Sequence, residues 1–190
     1  MTAITINADS INLSDEQFFQ FCQDNRDLRI ERNTNGDIII MPPVGGASGN
    51  RNGRLTQQLF NWSDLDGTGI AFDSSTGFTL PNGADRSPDA AWIPLEKWNN
   101  LTSTEQEKFL PLCPDFVVEL RSPSDSLSAT QKKMQEYLNN GTRLAWLINR
   151  QDRKIEIYRQ NQDVEILDNP TTLSGENILP GLILNLELIW

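Results

Sequence analysis

The residues best placed to do chemistry lie in SPDAAW (87–92), in PDFVVELRSPSD (114–125) and in the helix pattern that follows it, LSATQKKMQEYLNN. In the second stretch Phe116, Val117, Val118 and Leu120 read as a buried strand. Yet Asp115 and Glu119 sit at its start and middle, and Arg121 follows. Alternate residues of a strand share a face. Asp115, Val117, Glu119 and Arg121 therefore point one way, and Phe116, Val118, Leu120 and Ser122 the other. A carboxylate among valines is costly to bury unless it is paired or binds a metal. Pairing would mean an ion pair with Arg121 or another cation. In SPDAAW, Asp89 opens a second apolar strand directly after a proline, where the ordinary fate of aspartate is a turn. In the helix, the apolar face centres on Leu127, Thr130, Met134, Tyr137 and Leu138. Lys132 then lies almost opposite it, in water, while Lys133 sits at its edge, about 90° from the centre. From there Lys133 either reaches back over the sheet towards Glu119 or lies along the surface as a snorkelling lysine.

Two acids on neighbouring strands with a nearby lysine suit metal-assisted chemistry on a phosphate. Carboxylates hold Mg²⁺ or Mn²⁺ through oxygen. Such an ion polarises a phosphate and acidifies its bound water, and a lysine orients that water or offsets charge on the phosphate. No histidine is needed, and the chain contains none. That excludes a Ser-His-Asp triad, a Cys-His pair, a histidine general base and every zinc site that includes histidine. The net charge of −10 argues against a general nucleic-acid coat protein, because phosphate binding wants a positive field. It leaves room for a local basic groove.

Several elements must position these side chains. With 190 residues, 37% of them hydrophobic, the chain has enough material for one domain spanning 1–190. No apolar run approaches membrane-spanning length. The N-terminal stretch MTAITINADSINLSDEQ lacks the basic flank and apolar run of a signal peptide. Cys22 and Cys113 form no disulfide framework or metal-type spacing, so the expected setting is the reducing cytoplasm. Ser14–Asn25 reads as a helix, with Gln17 in the capping-box relation to Ser14. Leu28–Arg32 and Asp37–Met41 flank an Asn35-Gly36 hairpin turn. Residues 42–49 read as a flexible loop, Asn50–Leu65 as a helix, and Ile70–Ser74 and Gly77–Leu80 as strands. PNGADRSP then makes a turn-rich loop before a short strand at 89–93. A short helix is expected around Ser103–Phe109, a strand over 115–121, and a helix over Leu127–Asn140 that ends at Gly141. Arg143–Asn149 is apolar throughout, as a central strand requires, whereas KIEIYR (154–159) alternates and should be half exposed. The order predicts an α/β (α+β) fold, with strands 115–121 and 143–149 parallel across the helix between them.

Taken together, GDIIIMPP, the N-x-x-L-x-x-x-L helix (Asn52, Leu55, Leu59), PDAAW, PDFVVELRSPSD, K-x-x-x-Y-x-x-x-G (Lys133, Tyr137, Gly141), AWLIN and KIEIYR resemble the Uma2 family, common in cyanobacteria, from about residue 14 to about 185. That family is similar to restriction endonucleases of the PD-(D/E)XK fold. The resemblance implies a mixed sheet flanked by helices, with the N-terminal hairpin as an extension, and metal-dependent hydrolysis of phosphodiesters. Asp89 would match the first acid and Glu119 the second, both as ligands of Mg²⁺ or Mn²⁺. Arg121 stands where the motif's lysine would be, and the family's lysine, supplied from the following helix, is Lys133. The chain departs from the family where many members carry a histidine, here Asn52. It departs again at Ala145-Trp146 and Asn149, which replace a Tyr-Trp pair and an aspartate. The acid often found on the first core helix is missing, with Gln57 and Gln58 the nearest polar residues, so one divalent ion is expected.

The leading expectation is a DNA endonuclease with Asp89, Glu119, Lys133 and Arg121 as catalytic candidates. Asp115 ranks behind them, and Arg51 and Arg54 are candidates to touch the DNA backbone. The alternative is an inactive protein of the same fold serving as a nucleic-acid or protein interaction module, and a hydrolase of small phosphate esters ranks last. Convergence of Asp89, Glu119 and Lys133 in a groove open to solvent would discriminate the two, and Glu119 closed off by a bidentate pair with Arg121, or Lys133 pointing away, would favour the interaction module. Nucleases of this fold often act as homodimers. The apolar tail ending in Leu188, Ile189 and Trp190 would bury itself either in such a partner or in its own core.

Overall fold

The computed structural model describes residues 3–8 and 10–190; the other three positions, within the N-terminal stretch read above for a leader, lie outside it. The chain opens with β1 (Ile4–Ile6) and α1 (Asp15–Asp24). The Gln17 amide donates to the Ser14 hydroxyl and the Ser14 amide donates to the Gln17 side chain, completing the capping box. Strands β2 (Arg29–Arg32) and β3 (Ile38–Met41) form the hairpin, and Gly36 in its turn has φ +86°, which costs a residue without Cβ nothing. Helix α2 (Gly46–Asp66) begins inside the stretch expected to be loop. Burial of Leu55 and Leu59 anchors it, and a helix once nucleated extends through glycines that could not start one.

Next come β4 (Gly69–Asp73), β5 (Phe78–Thr79), β6 (Asp85–Arg86) and β7 (Ala90–Pro94). Two short helices follow, α3 (Leu95–Asn99), which has no counterpart in the sequence reading, and α4 (Ser103–Gln106), capped by Thr102. Strand β8 (Phe116–Leu120), helix α5 (Leu127–Asn139) and strand β9 (Leu144–Asn149) form the expected crossover unit. Beyond them lie β10 (Lys154–Arg159), β11 (Glu165–Asp168), β12 (Thr172–Ser174), β13 (Ile183–Asn185) and a closing 3₁₀ turn, Leu186–Leu188. Among the described residues no helix is long and apolar enough to cross a membrane.

The central sheet runs β11-β10-β9-β8-β7-β4. Its β8–β9 pair is parallel, with Phe116 beside Leu144 and Glu119 beside Leu147. Phe116, Val118, Trp146 and Ile148 face a core shared with Leu55 and Leu59 of α2 and with the C-terminal segment. Val117, Ala145 and Leu147 face Met134 and Tyr137 of α5. The C-terminal tail closes the core of its own chain, with Leu186 and Ile189 buried and Trp190 packed beside them. Strand β10 corrects the expected half exposure, because Glu156 is buried along with its neighbours. Gln131 of α5 and the Tyr158 hydroxyl both donate to the Glu156 carboxylate, so the alternation survives on two covered faces.

A second sheet runs β1-β3-β2-β6-β5. The hairpin is therefore the middle of a five-stranded sheet, where an extension was expected. The difference lies in Asp85-Arg86, inside the presumed loop PNGADRSP. Both are buried, and Asp85 is held by Arg32 at 2.7 Å and by the Thr79 hydroxyl at 2.6 Å. Charged residues compensated across distant strands leave no apolar pattern to read.

Gly69 marks the tightest contact between α2, β4 and β7. A Cβ there would lie 2.2 Å from the Ile93 carbonyl oxygen and 2.3 Å from the Trp92 ring. Gly69→Ala is expected to lower stability by about 3 kcal/mol, at the upper end of overpacking costs. Urea denaturation should show a lower midpoint with an unchanged slope.

Candidate active site

Asp89, Glu119 and Lys133 come together at the C-terminal end of β8. Strands β7 and β8 pair from Ala90 opposite Val118 onward, and Asp89 lies in the bend just before β7, one residue short of the strand expected to begin there. Its carboxylate is nonetheless anchored beside Glu119. Its Oδ2 accepts the Leu120 backbone N–H at 2.8 Å, and its Oδ1 accepts Asn52 Nδ2 at 3.3 Å, with Arg29 Nη1 3.6 Å away. Glu119 is only 8% exposed. Its Oε1 accepts the Tyr137 hydroxyl at 3.0 Å and lies 2.8 Å from Lys133 Nζ. Lys133 and Tyr137 stand four residues apart on α5 and share one helical face. Lys132 is exposed, as the helical wheel requires.

A fourth charged residue, Glu31 of β2, was missed by sequence reasoning. It is 3% exposed. Its Oε1 receives Lys133 Nζ at 2.8 Å and the Ser87 backbone N–H at 3.0 Å, and its Oε2 receives Arg86 Nη1 at 3.2 Å. Arg86 is held in turn by Glu136 at 2.6 Å. The available signal was a carboxylate in mid-strand, the same one that exposed Glu119, but a hairpin taken for an extension gives no reason to bury it.

The cluster sets the carboxylates Glu31, Asp89, Glu119 and Glu136 against the cations Arg29, Arg86 and Lys133, which leaves one acid in excess. Glu119 bears that excess. Burial raises its carboxyl to about 7, with Asp89 and Glu31 adding to the push and Lys133 opposing it. Burial also works against the charge of Glu31, but Lys133 and Arg86 outweigh it and hold that carboxyl at about 2. For Lys133, burial disfavours the ammonium, while Glu119 and Glu31 prevail and keep it above the ordinary lysine range. Between pH 4.5 and 7 the folded protein holds the Glu119 proton more tightly than the unfolded chain does, so stability falls as pH rises through that window. For Glu31 the sign is reversed, and its contribution is lost as pH falls from 4.5 towards 2. The melting temperature of metal-free protein should therefore decline on both sides of the range around pH 4.5, and a flat profile up to pH 8 would contradict these assignments.

Arg121 does not join the cluster. Its Nη1 donates to Asn149 Oδ1 at 2.9 Å and its Nε to the Asp125 carbonyl at 3.1 Å, so it does not close off Glu119. Asp115, at the other end of β8, meets Lys97 at 2.6 Å and Arg143 at 3.9 Å. Arg51 approaches the Trp190 carbonyl at 3.5 Å and Arg54 pairs with Gln57 at 3.1 Å. Gln58 is engaged with Asn185. Asn52 does reach the site. Its Oδ1 is buried and has no hydrogen-bond partner among the described residues, while its helix face also lines an open depression of about 520 Å³ together with Gly49, Gly53 and Thr56.

Among the described residues no group of three or more histidine, cysteine or acidic side chains is gathered tightly enough to hold an ion by itself. The donor set at Asp89 and Glu119 nevertheless fits a hard divalent cation. It offers two carboxylates, oxygen donors of the kind that Mg²⁺ and Mn²⁺ prefer, while Asn52 turns its amide nitrogen towards Asp89. Glu31 is not part of that set, since Lys133, Arg86 and the Ser87 amide already occupy it.

The chain was compared with known proteins. It matches the Uma2 family, described as "Putative restriction endonuclease", over residues 15–187. No curated protein matches it. A crystal structure of a putative nuclease belonging to DUF820, from Anabaena variabilis, is similar with a TM-score of 0.71 and 21% sequence identity, covering 84% of this chain and 89% of that one. At that identity the likeness establishes the fold, a mixed sheet flanked by helices. With the family match running through the hairpin, both acidic strands, α5 and the C-terminal tail, the chain belongs to the Uma2 family.

Proposed function

We propose that the protein is a Mg²⁺- or Mn²⁺-dependent endonuclease that hydrolyses phosphodiester bonds of DNA. The observation that carries this reading is the Asp89 carboxylate accepting the Leu120 backbone N–H at 2.8 Å, next to Glu119, with the Lys133 ammonium 2.8 Å from Glu119. Asp89 and Glu119 would hold the metal, with Asn52 steadying the Asp89 carboxylate. When bound, the ion polarises the scissile phosphate and acidifies a water. Lys133 keeps its proton beside two carboxylates, so it serves as a donor that orients the water or offsets charge on the phosphate, and not as a base. Tyr137 orients Glu119 from beneath. Arg121 braces the segment after β8 through Asn149 and Asp125. Exposed Arg54, two residues beyond Asn52 on α2, offers a contact for the DNA backbone. The family match supports a nuclease. Lys133 turns towards Glu119 and Arg121 is engaged elsewhere, whereas Glu119 and Lys133 are largely covered and do not line the depression beside Asn52. A cytoplasmic setting, and pairing of two copies to cut both strands, go with this reading.

Paramagnetic titration with Mn²⁺ tests the metal half of the proposal. Wild type should bind one ion, and Asp89→Asn should weaken binding at least about tenfold by removing a charged oxygen donor. Equal affinity in the two proteins would remove Asp89 from the metal site.

A further inference from the structure

We infer that Glu31, carried by the N-terminal sheet, is a positioning residue that holds the Lys133 ammonium at the reacting centre. The inference rests on the nuclease reading for its catalytic meaning, but the clamp itself stands on geometry. Lys133 Nζ lies 2.8 Å from Glu31 Oε1 and 2.8 Å from Glu119 Oε1. A lysine side chain has four rotatable carbons and a compact charge, and one partner does not fix its direction. Two partners on different sheets do. Glu119 belongs to the central sheet and Glu31 to the second sheet, and Lys133 reaches both from α5.

Glu31 is itself unable to swing. The Ser87 backbone amide holds Oε1 and Arg86 holds Oε2, with Arg86 pinned by Glu136. Ser87 lies two residues before Asp89, so the segment that delivers the first acid also fixes the group that aims the lysine. This accounts for three features that the metal site alone leaves without a purpose. They are the buried carboxylate in β2, the buried Arg86 in β6, and the pairing of β6 with β2 through Asp85 and Arg32. Glu31 acts through Lys133 and touches neither metal nor phosphate.

The test is a double-mutant cycle with a readout that needs no activity. Glu31→Gln, Lys133→Met and the double variant are compared for cleavage of a labelled duplex with Mn²⁺, below the melting temperature of each. Glu31→Gln should lower kcat at least about tenfold with KM for DNA and Mn²⁺ affinity unchanged, and should add no further loss in the Lys133→Met background. In ¹H–¹⁵N spectra that detect lysine ammonium groups, wild type should show a slowly exchanging resonance that Lys133→Met removes, and Glu31→Gln should broaden or erase it. Glu31→Asp keeps the charge but withdraws the carboxylate by one methylene, and the same kcat and spectral losses are expected of it, which covers the case of a Glu31→Gln protein that fails to fold. Wild-type turnover in Glu31→Gln or Glu31→Asp, a full additive loss in the double variant, or an unchanged ammonium resonance would overturn the inference. If wild type cuts nothing, the nuclease reading fails, and the ammonium resonance alone then decides whether Glu31 holds Lys133.

Discussion

Lys133→Met is expected to abolish metal-dependent cleavage, with a loss of about a thousandfold, and to destabilise the fold by about 3–5 kcal/mol near pH 8. The two effects have one origin. Lys133 lies between Glu31 and Glu119, both buried, and its removal leaves two carboxylates facing each other with Arg86 as the main compensation. Breaking a buried pair by deleting one partner exposes the full cost of the charge left behind. That cost depends on pH in a calculable direction. Glu119 already takes up a proton at about 7 with the lysine present, and loss of the lysine, which opposes the rise, moves that carboxyl further up. Near pH 5 the protonated carboxyl relieves the repulsion, so the stability gap between variant and wild type should narrow on acidification. Thermal denaturation at the two pH values measures it. A gap independent of pH would mean that Glu119 does not bear the excess charge.

Glu119→Gln should separate stability from activity. Burial penalises the ionised form of Glu119 and raises its carboxyl to about 7, and the glutamine amide has nearly the same volume and can still accept the Tyr137 hydroxyl. Above pH 7 the variant should therefore melt higher than metal-free wild type, and the difference should shrink towards pH 5, where the folded wild type carries the proton. Cleavage, in contrast, should fall by about a thousandfold, because a neutral amide is a poor partner for a divalent ion and the lysine loses one of its two anchors. A site more stable without its function is the expected signature of strained catalytic groups. Lower stability at every pH would instead mark Glu119 as a structural partner of Lys133.

The part of this site that sequence could reveal was the part written locally. An acid in the middle of FVVEL and a lysine at the edge of the α5 apolar stripe are readable from periods of two and 3.6 residues, and both side chains point where those periods send them. The crossover of β8 and β9 through α5 follows from the same local patterns. Glu31 did not follow, since its partner Lys133 is 102 residues away and its strand gave no sign of being covered. Arg86 was hidden for a related reason. Turn-forming neighbours in PNGADRSP dominate the local reading, and only Glu31 and Glu136, from distant elements, make its burial affordable. Asn52 lies in a helix legible from Asn50 onward, short only of its first turn, but its contact with Asp89 depends on how α2 sits against β7. Long-range charge compensation fixes these positions, and it leaves no trace in spacing along the chain.

In the proposed function Asp89, Glu119 and Lys133 form a metal-dependent nuclease centre. Its most direct test is cleavage of labelled single- and double-stranded DNA with Mg²⁺ or Mn²⁺, wild type beside Glu119→Ala, with a chelator control. Cutting by wild type that the chelator stops and Glu119→Ala abolishes is the predicted result. No cutting by wild type under any of these conditions, together with no detectable Mn²⁺ binding, would contradict it.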